Sequence, residues 1–267
     1  MKLVVRGEFT IVINNDRRNR SRQSPTVPAG NLSQAPTARQ PAPSIQDPAH
    51  PGDRRLSGEL RNLLAGSTLL LVVALSLTVA AAGDGVLSAD LSIARRIQSA
   101  DGPVVDALVA AGDLLGSTRV LLGLASIVLL AAAIRRRWAD VALVLVAAVS
   151  QFLGLLLKAA ADSPRPTPDL IRVTAESDGA GFPSRTTMAA LLTYGTILYL
   201  AVRSPGASRP AVRWPLIVAF ALAVLLVGFE RIAVGAHWPS DVLGGYLWGG
   251  AVLLLLLAAH RRGRAAG

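Results

Sequence analysis

Six polar side chains in the apolar part of this sequence, Lys158, Arg165, Ser184, Arg231, His237 and Asp241, are spaced so that together they could hold and attack an anion. Lys158 and Arg165 lie seven residues apart in KAAADSPRPTP, where prolines keep the backbone extended and remove competing donors. Two cations on a stiff loop form an anion clamp. In GFPSRTTMAA, Ser184 stands where an N-cap belongs, and a helix N-terminus directs free N–H groups outward, which suits a phosphate oxygen. Arg185 and Thr186 follow it directly. In ERIAVGAHWPSD, His237 comes six residues after Arg231 and four before Asp241, and Pro239 fits the first position of the next helix. That register puts Asp241 in the first helical turn, close to the imidazole. A carboxylate bonded to one ring nitrogen fixes the tautomer and leaves the other nitrogen as a nucleophile or base.

Each residue also has a plainer reading. Lys158 can snorkel from the edge of an apolar helix, and the loop of Arg165 can simply end that helix. Ser184 can act as a cap and nothing more, while Asp241 complements the helix dipole beside an interfacial His237. What joins the six is topology, because all of them fall on the same expected membrane face.

The elements that must bring them there are membrane helices. Of 267 residues, 52% are apolar and 16% charged, a balance unlike that of a soluble domain. Apolar runs near the ~20 residues needed to cross a bilayer recur at Leu63–Ala82, Val105 or Thr118 to Ile134, Ala139–Ala160, Thr187–Val202, Pro215–Phe229 and Val242–Ala259. The expected fold is therefore an all-α integral membrane protein, a six-transmembrane-helix bundle over residues 61–262. The stretch Asp90 to Leu115 fits an interfacial or partly buried helix as well as a membrane span, and its Asp and Arg95–Arg96 show no legible chemistry. Residues 1–60 are rich in Pro, Ser, Gln, Asn and Arg and read as a disordered tail, although MKLVVRGEFTIVI alternates like a short strand. No signal peptide is expected, because no small-residue cleavage site follows a long enough apolar core.

Arginines set the orientation. They cluster before the first span, in Arg135, Arg136 and Arg137, in Arg203, Arg209 and Arg213, and in the tail at Arg261, Arg262 and Arg264. Retention of Lys and Arg on the cytoplasmic side makes both termini cytoplasmic and the six polar residues extracytoplasmic in a cell membrane.

In these motifs the sequence resembles the type 2 phosphatidic acid phosphatase superfamily, integral-membrane lipid phosphatases related in site architecture to vanadium haloperoxidases. The family signature reads K-x6-R-P, P-S-G-H and S-R-x5-H-x3-D. KAAADSPRP matches the first part, and RIAVGAHWPSD matches the third through Arg231, His237 and Asp241, with Glu230 where serine is usual. The middle part reads PSRT: Pro183 and Ser184 match, while Arg185 and Thr186 replace glycine and histidine. The resemblance implies that His237 attacks phosphorus to form a phosphohistidine, that Asp241 orients it, and that Lys158, Arg165, Ser184 and Arg231 bind the phosphoryl oxygens. It also implies a missing general acid, since threonine stays neutral and cannot protonate a leaving oxygen comparably. That loss weighs least on a lipid diphosphate, whose departing phosphate needs less protonation than an alkoxide. Asp162, Glu176, Asp178 and Glu230 are the carboxylates a substitute could come from.

The expected substrate is thus a phosphorylated or pyrophosphorylated lipid of isoprenoid diphosphate or phosphatidate type. The alternative is a weak or inactive homologue that binds a phospholipid or serves as a partner in envelope assembly. No cofactor is expected, and no metal, since no histidine and carboxylate cluster offers enough ligands. The net charge of +10 follows the topology and forms no basic domain with interleaved aromatics, which argues against nucleic acid. A transporter would require ionisable residues along its path, yet Gln151 is the main polar residue inside the spans.

Overall fold

The structure, a computed structural model, describes residues 51–82, 86–175 and 178–266. The strand-like opening, His50 and Glu176 lie outside the described residues. Within them the chain forms α1 (Pro51–Ala81), α2 (Ser88–Gln98), α3 (Pro103–Gly116), α4 (Thr118–Ile134), α5 (Trp138–Ser150), α6 (Leu153–Ala161), α7 (Arg185–Val202), α8 (Pro210–Ala233) and α9 (Pro239–Ala266). No strand occurs among the described residues. An apolar chain in lipid must satisfy its backbone internally, and helices do so within one segment.

Four of these stretches are long and apolar enough to cross a membrane: Leu56–Ala81, Trp138–Ala161, Pro210–Ala233 and Pro239–Ala265. The pair α3 and α4 adds a fifth if it is one broken span, bent by 50° at Ser117. Ser117 starts a new helix there, its hydroxyl accepting from the Val120 N–H at 3.3 Å. The sixth expected span is α7, and its composition explains why it differs. It packs against α4, α5, α8 and α9, so it buries Thr187, Thr193, Tyr194 and Thr196 against protein and does not need to match lipid on every side.

Several boundaries move from their expected places. α1 already begins at Pro51, inside the stretch assigned to a tail of 60 residues, because DRRLSGELRNLL is rich in good helix formers and extends the apolar helix backwards. Amphipathic α2 lies against α8 and α9. The span from Ala139 is broken at Gln151, whose amide reaches the Thr193 hydroxyl at 3.4 Å. α8 runs through Pro215 to Ala233, so the connection to α9 is only residues 234–238, and Arg231 belongs to the last helical turn and not to a loop.

At one end of the bundle the arginine-bearing connections meet. Asp140 accepts from Arg137 at 2.6 Å and from His260 at 2.8 Å; the other ring nitrogen of His260 accepts from the Tyr199 hydroxyl at 3.0 Å. Arg203 lies over the Tyr199 ring, and Arg261 pairs with Glu59 of α1. Within α9, Pro239 and His260 are roughly 30 Å apart at 1.5 Å per residue, so His260 sits far from His237.

Candidate active site

At the other end, the short turn between α8 and α9 sets the geometry. The N–H groups of Ala236 and His237 both donate to the Arg231 carbonyl, at 3.0 and 3.1 Å, folding the chain back over the end of α8. This brings the Arg231 and His237 side chains to the same cavity. α9 then begins at Pro239 with Asp241 in its first turn, as the sequence predicts.

Asp241 is fully buried and does two jobs. Its Oδ2 accepts from the Trp238 N–H at 3.0 Å, closing the first turn of α9 as a capping acid does, and lies 3.1 Å from His237 Nδ1. Helix capping and imidazole orientation are therefore not alternatives here. An ionised carboxylate only accepts, so Nδ1 carries the proton. Arg165 only donates, and its Nη1 lies 3.4 Å from His237 Nε2, so Nε2 carries the lone pair and turns it toward Arg165 at the cavity wall. Gly181 makes room for this pair, since a Cβ there would stand 2.9 Å from Asp241 Oδ2.

The cations are held by backbone carbonyls. Lys158, in the last turn of α6, donates to the Ala180 and Gly181 carbonyls. Arg165 joins two loops, donating to Gly179 O at 2.8 Å, Asp178 O at 3.3 Å and Ala236 O at 2.7 Å. Arg231 makes a two-pronged ion pair with buried Glu230 and lies 3.6 Å from Asp113. All three, with Arg185, Thr186 and His237, line a cavity of about 570 Å³. Burial, together with the nearby Arg231 and Arg185, holds the Arg165 guanidinium below its ordinary value, against the pull of Asp241 and Asp178. Several cations converging on one cavity is the signature of an anion site.

Ser184 is the exception among the expected phosphate ligands. It occupies the N-cap position of α7, but its hydroxyl is buried without a hydrogen-bond partner and Ser184 is not part of the cavity wall. Its backbone N–H donates to the Asp241 carbonyl at 2.9 Å, so it ties α7 to α9 through the main chain. Among the carboxylates considered as replacement acids, Asp162 and Asp178 line the cavity, whereas Glu230 is buried against Arg231.

One residue was invisible to sequence reasoning. Asp90 on α2 accepts from the Ser240 N–H at 2.7 Å and the Ser240 hydroxyl at 2.6 Å, capping α9 from a helix 150 positions away in the chain. Burial pushes its carboxyl up, opposed by the two bonds from Ser240. No local pattern signals such a pair; an acidic residue on the apolar side of an amphipathic helix is the only hint. Asp90→Ala is expected to destabilise the protein by about 1–3 kcal/mol by stranding both donors, and to lower turnover by shifting Asp241. Thermal unfolding in detergent alongside phosphate-release kinetics checks both.

The family model of the PAP2 superfamily matches residues 139–264. Phosphatidylglycerophosphatase B of Bacillus subtilis (strain 168) is 30% identical over 183 residues, which cover 67% of this chain and 87% of that protein. The chain belongs to the PAP2 superfamily. The crystal structure of a transmembrane PAP2-type phosphatidylglycerolphosphate phosphatase from Bacillus subtilis superposes on it with a TM-score of 0.65 at 25% identity, over 73% of this chain and 96% of that one. As a PAP2 protein it is an all-helical membrane protein related to lipid phosphatases. The PAP2 match includes every polar cavity residue from Lys158 to His237, and Asp241 behind it.

Burial pushes the His237 imidazole below its ordinary value, aided by Arg165 and Lys158 and opposed by the hydrogen bond and charge of Asp241. The neutral ring is the reactive form, so rate should rise with pH through a value below about 6.5, the ordinary histidine pKa. The acid limb of kcat/KM for a phosphatase assay is therefore expected below about pH 6.5, with a flat profile at neutrality. A limb centred above that value would contradict the assignment.

Proposed function

We propose that this chain hydrolyses a phosphorylated or pyrophosphorylated lipid, of phosphatidate or isoprenoid diphosphate type, through a phosphohistidine at His237. The observation that carries the reading is His237 itself, its Nδ1 held by Asp241 and its unprotonated Nε2 beside Arg165, in a cavity that Lys158 and Arg231 also line. Phosphoryl transfer is mostly positioning and charge stabilisation, and this arrangement supplies both. Nε2 attacks phosphorus, the bond to the leaving oxygen breaks, and water then cleaves the N–P bond to release orthophosphate. Lys158, Arg165 and Arg231 hold the phosphoryl oxygens, and Ser184 supports them by fixing α7 against α9.

The arginine distribution supports six crossings, with both termini cytoplasmic and the site extracytoplasmic. The name of the Bacillus relative makes phosphatidylglycerophosphate a natural member of the substrate panel. Thr186 favours a second reading, a homologue that binds a phospholipid and turns it over weakly, because the residue lines the cavity without an acidic proton.

Phosphate release across lipid monophosphates and diphosphates separates the two. Turnover of at least one lipid, raised about 10²-fold or more on a lipid monophosphate by Thr186→His, is expected if only the acid is missing. No release from any lipid by the wild type, with release gained in Thr186→His, would favour the binding homologue.

A further inference from the structure

Resting on that phosphatase reading, we propose that Arg185 forms a second-phosphate subsite: the substrates are lipid diphosphates, and Arg185 binds the phosphate that departs with the lipid. Arg185, Thr186 and Leu155 line two cavities at once. One is the polar cavity holding His237; the other, about 300 Å³, is walled largely by apolar residues, with Leu121 and Leu122 of α4, Ala148 of α5 and Phe152 among them. A substrate whose terminal phosphate meets His237 and whose chain enters the apolar cavity must pass Arg185 in between. That is the position of the leaving group.

The state of the side chain fits this use. Lys158, Arg165 and Arg231 are all held by protein acceptors, whereas Arg185 is exposed and makes no hydrogen bond or ion pair among the described residues. Its stem rests against α6 at Gly154, where a Cβ would come within 2.9 Å of Arg185 Cγ, so a larger residue there would displace it. A guanidinium stays protonated and offers charge and hydrogen bonds without giving up a proton.

The chemistry then needs no acid in the first step. His237 Nε2 bonds to the terminal phosphorus while the bond from that phosphorus to the bridging oxygen breaks. The electron pair leaves on the bridging oxygen of a lipid monophosphate, an anion that Arg185 stabilises. Water next attacks the phosphohistidine, the N–P pair returns to Nε2, one proton passes to solvent, and orthophosphate departs. A lipid monophosphate would instead have to expel an alkoxide, which Arg185 cannot protonate.

The test compares phytanyl diphosphate with phytanyl phosphate, which share one saturated chain, in the same detergent. Wild type is expected to favour the diphosphate by about 10²-fold or more in kcat/KM. Arg185→Gln should lower diphosphate turnover by about 10²-fold and change monophosphate turnover little, with Arg185→Lys intermediate. Equal rates on the two lipids, or a preference that survives Arg185→Gln, overturns the subsite while leaving the phosphatase reading intact. Release from neither lipid above the level of His237→Ala overturns both.

Discussion

Replacing His237 with alanine is expected to lower phosphate release from the best lipid substrate by about 10⁵-fold or more, the scale on which removal of a covalent nucleophile acts. No other side chain at the cavity can take over. Ser184 is buried outside the cavity wall, the Thr186 hydroxyl makes no hydrogen bond to a base among the described residues, and His260 is at the far end of α9. The substitution should also cost about 1–3 kcal/mol of stability, because the buried Asp241 carboxylate loses a donor while its Oδ1 already lacks a partner. An unfolding curve that still shows a cooperative transition, together with abolished turnover, separates chemistry from collapse. Residual activity within tenfold of wild type would remove His237 from the reaction.

Asp241→Asn is expected to cost about 10²–10³-fold, the scale on which one preorganised charge-stabilising group acts. Oδ2 accepts from two donors, the Trp238 N–H and His237 Nδ1. An asparagine oxygen at that place keeps both contacts, and its N–H₂ takes the place of the Oδ1 that lacks a partner. The proton stays on Nδ1, but the negative charge that offsets positive charge developing on the ring as Nε2 bonds to phosphorus is gone. The ring keeps its orientation while its charge partner is lost. Folded protein with wild-type substrate binding and kcat reduced by this factor is the predicted outcome; a kcat unchanged within threefold would show that the carboxylate serves only to cap α9.

Much of this site was legible in the sequence because its parts are local. The spacing from Arg231 to Asp241 lies in one helix end, one tight turn and one helix start, so distance along the chain reports distance in space. The prolines at Pro164, Pro166 and Pro239 similarly announce stiff loops and a helix start. What escaped depends on contacts between remote segments. Asp90 caps α9 from α2, and Ser184, outside the cavity wall, bonds through its backbone to Asp241. The place of Arg231 inside α8 was missed since apolar patterning ends at Phe229, while the backbone hydrogen bonds continue one more turn. α7, expected at Thr187–Val202, runs Arg185–Val202, and a helix enclosed by other helices can keep threonines that a lipid-facing one would lack.

The central claim is that His237 carries phosphate during turnover. Protein mixed briefly with lipid diphosphate or monophosphate labelled at the terminal phosphorus, then quenched in base, tests it directly. A label that survives base, is lost in mild acid, maps to the peptide containing His237 and is absent from His237→Ala is the predicted result. Steady phosphate release with no such adduct, or an adduct that persists in His237→Ala, would contradict it.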